Sequence, residues 1–289
     1  MLLLPPSNDR ISEGGRRTKG YFKSGSDGDP LISVITIVLN GVKYLEDTIK
    51  SVLNQTYGNV EYIIIDGGSN DGTLDVISKY EDQIDYWVSE SDDGIADAFN
   101  KGISLCAGEV IGIINADDWY EPDAIEKIME CSIHPAVFCG NVQYWNEGEK
   151  DYVFTTNIHG LPKEMTLNHP AIFVSASIYK EYGLFDSKYK YAMDYELLLR
   201  LYIKGVEFVR IDSVLSNMRL SGLSDRCRGQ SYREVRLAKM QYGESFLRAY
   251  SYNVWQLFRK SVSHLLTIMG LEQIVRSFRS KYSVIKKIR

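Results

Sequence analysis

Carboxylates recur in this sequence at the points where apolar runs stop. Asp66 ends VEYIIID and is followed by GGSNDGT; Asp92 and Asp93 follow IDYWVSE in the run SESDDG; Asp117 and Asp118 close EVIGIINADD. An acid beside a helix start is often no more than a cap, and capping is a sufficient account of Asp71 and Asp123. It does not explain why adjacent carboxylates recur at one edge of a sheet. Two neighbouring carboxylates repel unless a cation lies between them. Hard oxygen donors of this kind suit Mg2+ or Mn2+, held through one or two carboxylates plus the phosphates of a substrate. The pattern points to a divalent cation and a ligand bearing a diphosphate. Glycines beside the first two acidic groups let such a ligand come close to the backbone. The sequence has no P-loop (GxxxxGKS/T), and its first strand–helix turn has no GxGxxG, so phosphate neutralisation falls to the metal.

The elements that must position these acids alternate in type. LISVITIVLN, Leu31–Asn40, is a continuous β-branched run of the kind buried on both faces of a sheet. YLEDTIKSVLNQ places Leu45, Ile49, Val52 and Leu53 at helical spacing. VEYIIIDGG, IDYWVSE and EVIGIINADD read as further strands, and TLDVISKY, GIADAFNKGISLC and PDAIEKIMEC as helices, the last opening on Pro122. From Ala136 the pattern changes. AVFCGNVQYW and DYVFTT predict a hairpin around a turn at Asn146–Lys150, and a loop covers Asn157–Asn168. SASIYKEYG and DYELLLRLYIKG read as helices, VEFVRI as a late strand, and two or three amphipathic helices follow Asp225. This alternation predicts an α/β fold: a mostly parallel, Rossmann-like sheet with helices on both faces and ligands at the carboxyl ends of the strands.

Length and composition allow one large domain with an appendage, or two modest ones. The chain has 289 residues, 44% apolar and 25% charged, values of a globular rather than a disordered protein. Cys106, Cys131, Cys139 and Cys227 show no CxxC spacing and are expected as reduced thiols of a cytoplasmic protein. MLLLPPSNDR lacks the form of a signal peptide, and no run approaches the ~18 apolar residues of a spanning helix. The expectation is a chain neither secreted nor integral to a membrane. Residues 1–29, rich in Gly, Ser and charge, are expected to form a flexible arm. Charge is divided unevenly: 14 Lys and Arg stand against 3 Asp and Glu from Arg226 to Arg289, a balance of +11, which leaves −16 on the preceding residues. The basic segment also carries Tyr250, Tyr252, Trp255, Phe258 and HLLTIMG. Helices of this composition lie in membrane interfaces, pack on a protein body or join copies in a homo-oligomer. No nucleic-acid-binding motif accompanies the charge.

In order and spacing, SVITIVLN, YLEDTIKSVLNQTYGNVEYIIIDGGSNDGT, SESDDGIADAFNKGI, AGEVIGIINADD, GLFD and MDYELLLRLYIKG resemble the family 2 inverting glycosyltransferases, within them the capsule, exopolysaccharide and lipopolysaccharide sugar transferases. The resemblance covers about residues 31–225. It implies a GT-A catalytic domain over 30–225, with a nucleotide-binding part at about 30–120 and an acceptor-binding part at about 121–225, then a basic helical extension over 226–289. It also implies a metal-dependent (Mn2+ or Mg2+) transfer of one sugar from a nucleotide-sugar donor, UDP-sugars being the first expectation. The acceptor hydroxyl would belong to a lipid-linked glycan or oligosaccharide of surface polysaccharide biosynthesis, at the cytoplasmic face of the membrane.

The resemblance assigns roles position by position. Asp66 would contact the nucleotide base. Ile37–Asn40 would cup the nucleoside, with Ile37 where the family usually has proline. Asp93 would be a further nucleotide-side contact. Asn115–Ala116–Asp117 matches the family's DxD motif with Asn for its first acid, so Asp117 would ligate the metal and Asp118 would contact sugar or support the site. Asp194 stands at the position of the catalytic base, His169 near the acceptor or donor sugar, and Arg219 and Ser221 on a loop that closes on the diphosphate. Lys101 and Arg200 are lesser candidates, and donor choice would depend on loops around 93–101, 140–175 and 219–224. The QxxRW motif of processive synthases is absent, which favours single addition. Two other readings remain. A sugar nucleotidyltransferase would need a Gly- and Arg-rich first loop, which VLNGVKY does not supply. A non-catalytic nucleotide-sugar-binding protein is encouraged by Asn115 alone.

Overall fold

Strands of Val and Ile that are apolar on both sides need cover on both sides, and the chain supplies it by alternating them with helices. The computed structural model describes residues 3–5, 7–131, 134–220, 228–271, 274 and 286–288. In chain order the elements are β1 (Arg10–Gly14), β2 (Ile32–Val38), α1 (Leu45–Leu53), β3 (Val60–Asp66), α2 (Thr73–Lys79), β4 (Tyr86–Glu90), α3 (Ile95–Leu105), β5 (Val110–Asn115), β6 (Trp119–Tyr120), α4 (Ala124–Met129), β7 (Val137–Asn146), β8 (Glu149–Thr155), β9 (Ile172–Ser175), α5 (Ala176–Tyr182), α6 (Met193–Ile203), β10 (Phe208–Arg219), α7 (Arg228–Gln241), α8 (Phe246–Ile268) and β11 (Lys286–Ile288). One sheet runs β1-β4-β3-β2-β5-β9-β7-β10-β6, with β8 paired to β7 and β11 to β8. The central strands β4, β3, β2 and β5 are parallel. Beyond them β9 runs antiparallel to both β5 and β7, and β10 is parallel to β7.

Period-two alternation sorts the strand side chains into two cores. Ile35, Ile63 and Ile65 join Phe99 of α3, Ile178 of α5 and Leu197 of α6 on one face. Val34, Tyr62 and Ile64 join Ile49 of α1, Ile77 of α2 and Ile125 of α4 on the other. Each buried Ile or Leu of this kind contributes roughly 1.5–3 kcal/mol. Helices therefore cover both faces, as the sequence pattern requires.

Several elements differ from the sequence reading. Ile172–Ser175 forms β9 between β5 and β7, where no strand was expected; four residues are too few for periodicity to register. The late strand continues to Arg219, well past Ile211. The hairpin turn is only Glu147 and Gly148, both at positive φ (50° and 88°), the backbone that a two-residue turn between twisted strands requires. The flexible arm expected over 1–29 is the largest correction. Arg10–Gly14 pairs antiparallel with β4, and Arg17, 2% exposed, reaches under the sheet. Its guanidinium pairs with the buried Glu61 carboxylate and donates to the Leu105 carbonyl at 2.8 Å. Glu61 also accepts from Ser33 Oγ at 2.6 Å and Ala107 N–H at 3.0 Å. Arg17 is internal because it meets a buried partner, and that partner lies 44 residues away, where no local pattern shows it. The glycines have a packing reason as well: a Cβ on Gly14 would lie 2.6 Å from Trp87 Nε1.

Cys106, Cys131 and Cys139 are free thiols, and Cys227 lies outside the described residues. Among the described residues no helix is long and apolar enough to cross a membrane.

Replacing Arg17 with Ala leaves Glu61 charged and unpaired inside the protein. It is expected to cost about 3–5 kcal/mol of stability in urea denaturation. Lys19→Ala, which removes an exposed pair with Asp82, should leave the denaturation midpoint essentially where the parent has it.

Candidate active site

The loops that leave β2 and β3 are stitched together by their side chains. Asp66, the last residue of β3, is fully buried. Its Oδ2 accepts from Gly68 N–H at 3.1 Å, Ser69 N–H at 3.0 Å and Ser89 Oγ at 2.6 Å, while Oδ1 accepts from the Ser69 hydroxyl. Ser69 Oγ in turn accepts the N–H of Asn40 at 2.7 Å. Asn40 holds a left-handed backbone, φ 54°, which Asn tolerates better than most residues. Its Oδ1 accepts from Asn70 N–H at 3.0 Å, and Gly41 N–H donates to Thr73 Oγ1 at 2.9 Å. Expected to meet a nucleotide base, the Asp66 carboxylate here faces protein donors on both oxygens and shapes the loop. The exposed surface beside it is Leu39–Asn40.

Asp71 behaves as the sequence reading has it, accepting Thr73 N–H at 3.0 Å at the start of α2. Asp123 occupies the N-cap position of α4 but makes no cap bond; its carboxylate pairs with Lys127 at 2.8 Å instead. After β4, Asp92 accepts from Gly94 N–H at 2.9 Å and lies against Gly67, where a Cβ would sit 2.5 Å from its Oδ2. Asp93 is exposed. Lys101 is held by the acids of its own neighbourhood, Glu90 and Asp97, both at 3.2 Å.

At the end of β5 the chain turns sharply, Asp118 N–H donating to the Asn115 carbonyl at 3.1 Å. Asp118 is 1% exposed; its Oδ1 accepts from Arg219 N–H at 3.3 Å and its Oδ2 from Asn115 Nδ2 at 3.4 Å. Burial first, and then the charge of Asp117, push the Asp118 carboxyl well above the ordinary carboxylate range. Burial also raises that of half-buried Asp117. Arg219 is the last residue of β10, not part of a loop, and its guanidinium is clamped between rings, 4.3 Å from the centroid of Tyr44 and 4.4 Å from that of Trp119. It donates to the Asp117 carbonyl and, at 2.8 Å, to Asp47. Ser221 lies outside the described residues. Tyr44, Asp47 and Trp119, which the sequence reading passed over, complete this corner; the aromatic directly after Asp117–Asp118 is the signal that could have marked Trp119. Beside it opens a cleft of about 460 Å³ bounded by α1, β6 and Arg219.

No group of three or more His, Cys, Asp or Glu among the described residues could hold a metal by itself. The donors here fit a different mode, in which one or two carboxylates hold Mg2+ or Mn2+ and substrate phosphates and water complete the shell. Asp117 offers such a carboxylate. Burial raises both acids, and a bound cation would act in the opposite sense. Asn115 adds no charge, and its amide donates to Asp118.

Asp194 is the second residue of α6, and its Oδ1 accepts the N–H of Tyr195 at 2.8 Å. The N–H groups leading into the helix, of Tyr191 and Ala192, go instead to Glu234 of α7 at 2.7 and 2.9 Å. Asp194 shares with His169 a narrow cavity of about 10 Å³, walled by Ile113, Ile172, Val174, Tyr179, Phe185, Leu197 and Leu198, room for about one water. His169 Nε2 is shut off from solvent without a partner, and its ring meets Phe99 edge-on at 4.9 Å. Burial raises the Asp194 carboxyl and lowers the His169 imidazole, and the charge of each partner acts against that shift. Arg200 is committed to the carbonyls of Tyr182 and Leu184, both at 2.6 Å, and so braces the connection after α5.

Comparison with known proteins follows the same lines. The family model described as "Glycosyl transferase family 2" matches residues 33–194. The chain is 31% identical over 205 residues to the uncharacterized glycosyltransferase RT0329 of Rickettsia typhi, a match covering 64% of this chain and 60% of that protein. It is 38% identical over 104 residues to the putative teichuronic acid biosynthesis glycosyltransferase TuaG of Bacillus subtilis, covering 35% and 41%. The fold is similar to that of mannosyltransferase PcManGT from Pyrobaculum calidifontis, solved in complex with GDP-Man and Mn2+, at a TM-score of 0.61 and 15% identity over 93% of this chain and 86% of that one.

Asp66→Asn would set an amide NH2 against N–H and O–H donors. It is expected to lose about 1.5–3 kcal/mol of stability in chemical denaturation, the value of a buried hydrogen bond to charge. If stability is unchanged, Asp66 does not organise the loop.

Proposed function

The chain belongs to glycosyl transferase family 2 and has the mixed α/β GT-A fold, and from that premise we propose that it transfers one sugar from a nucleoside-diphosphate sugar to an acceptor hydroxyl, with inversion and with the help of Mn2+ or Mg2+. The observation that carries the reading is the adjacent pair of half-buried Asp117 and buried Asp118 at the end of a central parallel strand, beside the loops of β2 and β3. The matched relative RT0329 is longer, this chain spanning 60% of it, so activity, donor and acceptor are all part of the proposal.

Asp117 would hold the cation, which when bound neutralises the departing diphosphate. Asp118 keeps the turn in place through Arg219 and Asn115. Asn40, with the backbone around it, and the exposed Asp93 would receive the nucleoside, with Asp66 acting through the loop it organises. Arg219, fixed between Tyr44 and Trp119, adds positive charge to the same edge without having to move into place. Asp194 would accept the proton of the acceptor hydroxyl as that oxygen bonds to the anomeric carbon and the bond from that carbon to the diphosphate oxygen breaks on the opposite face. His169, behind Asp194 in an apolar cavity, would position the base rather than touch sugar. UDP-sugars are the first donors to try, by resemblance, and GDP-sugars the next, since PcManGT was solved with GDP-Man. The name of TuaG supports a place in polysaccharide biosynthesis, and the basic C-terminal segment supports a lipid-linked acceptor met at the inner face of the membrane.

A screen of UDP-, GDP- and dTDP-sugars for metal-dependent release of nucleoside diphosphate tests this. Release from one donor should vanish with a chelator and in Asp117→Ala. In Asp194→Asn it should fall by about 10²–10⁴-fold while donor binding persists. If no nucleotide sugar binds with metal present, the reading is wrong.

The base must be ionised to work, so kcat/KM should rise with pH through the pKa of Asp194, which burial places above the ordinary 3.8. His169 draws that value down, and His169→Leu should therefore move the acid limb to higher pH. An acid limb unchanged in that variant would remove His169 from the mechanism.

A further inference from the structure

Helix α8 packs on the protein by its polar side. Among its described residues Ala249 and Gln256 are buried, Gln256 Nε2 donating to Glu164 at 2.9 Å, and the hydroxyl of Tyr252 meets the same carboxylate at 3.1 Å. Lys239 of α7, itself buried, lies 3.7 Å from the Tyr252 ring centroid and donates to the Lys163 carbonyl at 2.7 Å. On the opposite side the described residues are apolar and exposed. Leu247, Tyr250, Val254, Phe258, Leu265 and Ile268 are between 49% and 78% exposed. Their spacings of three, four and seven residues put them on one stripe, about half a turn from Ala249 and Gln256. The stripe runs the length of a 23-residue helix, roughly 35 Å, and Trp255 borders it. An exposed apolar strip of that size marks an interaction surface.

Charge selects the partner. From Phe246 to Met269 there is no Asp or Glu, while Arg248, Arg259 and Lys260 fall in the same stretch, within a segment that carries +11. Two copies meeting stripe to stripe would bring two such segments together and repel. An apolar phase under a negatively charged surface suits both properties at once.

We propose that α8 is an interfacial helix, its outward stripe entering the headgroup region of an anionic lipid bilayer, with the positive charge of the C-terminal segment drawn to lipid phosphates. This deepens the lipid-linked-acceptor reading and rests on it for its purpose. Helix α7 gives the docked surface a link to the site, because Glu234 takes the N–H groups at the start of α6, where Asp194 stands. Docking through α8 would thus set the proton acceptor at a defined height above the bilayer.

Co-sedimentation of the full chain with phosphatidylcholine vesicles, with and without phosphatidylglycerol, tests this independently of turnover. Binding to the anionic vesicles is expected, at least about tenfold weaker on phosphatidylcholine alone or at high salt. The double variant Val254→Asp, Phe258→Asp should lose binding yet keep the thermal melting profile of the parent. The proposal is overturned by absence of binding to anionic vesicles, by binding that survives the double substitution, or by a concentration-dependent dimer that the substitutions dissolve. A chain that binds vesicles and no nucleotide sugar would defeat the transferase reading and leave α8 as a membrane helix.

Discussion

Strand β2 lies between two parallel neighbours, with Val38 opposite Asp66 on β3 and Ile37 opposite Asn115 on β5. That register is the constraint on which the site depends. Because strand side chains alternate with period two, a slip of one residue would exchange the two cores and turn both apolar faces inside out. Held in register, the three strands end at one level, and their loops meet. A Cβ on Gly41 would already lie 3.4 Å from the Ala116 methyl, and one on Gly67 would strike Asp92. The acids are neighbours because the strands are.

The acids have different fates once there. Asp66 accepts four hydrogen bonds from protein donors, three on one oxygen and one on the other. Asp118 has two donors, the Asn115 amide within the turn and the Arg219 N–H at the end of β10. Asp117 and Asp194 keep capacity for something else, and burial makes their charge expensive until a cation or a proton arrives. Positive charge is distributed to match: Arg17 under the sheet for Glu61, Lys101 for Glu90 and Asp97, and Arg219 pinned between rings at the one edge where a diphosphate would have to be neutralised.

The C-terminal helices belong to the same mechanical unit. Glu234 and Lys239 on α7 bond to the start of α6 and to the loop before β9, while Glu164 in that loop receives Tyr252 and Gln256 of α8. A helix attached by hydrogen bonds along one side can leave its apolar side free, which a helix held by hydrophobic packing cannot.

The sequence by itself determined the alternating strands and helices, the two-faced core and the acids at the strand ends, because these follow from side-chain periodicity and from what lies next in the chain. The order of motifs also carried the family. The tertiary structure decided the rest. It folded residues 10–20 onto the sheet, since Arg17 and Glu61 are far apart in sequence and neither advertises its partner. It surrounded Asp66 with protein donors, put Arg219 at a strand end, and brought His169 and Asp194 to the wall of one cavity. It also turned α8 outside in: a helical pattern tells which residues share a face, but only the neighbours say whether that face meets protein or something else. Contacts between residues tens of positions apart have no local signature, because burial and pairing are properties of the assembled surface rather than of the chain.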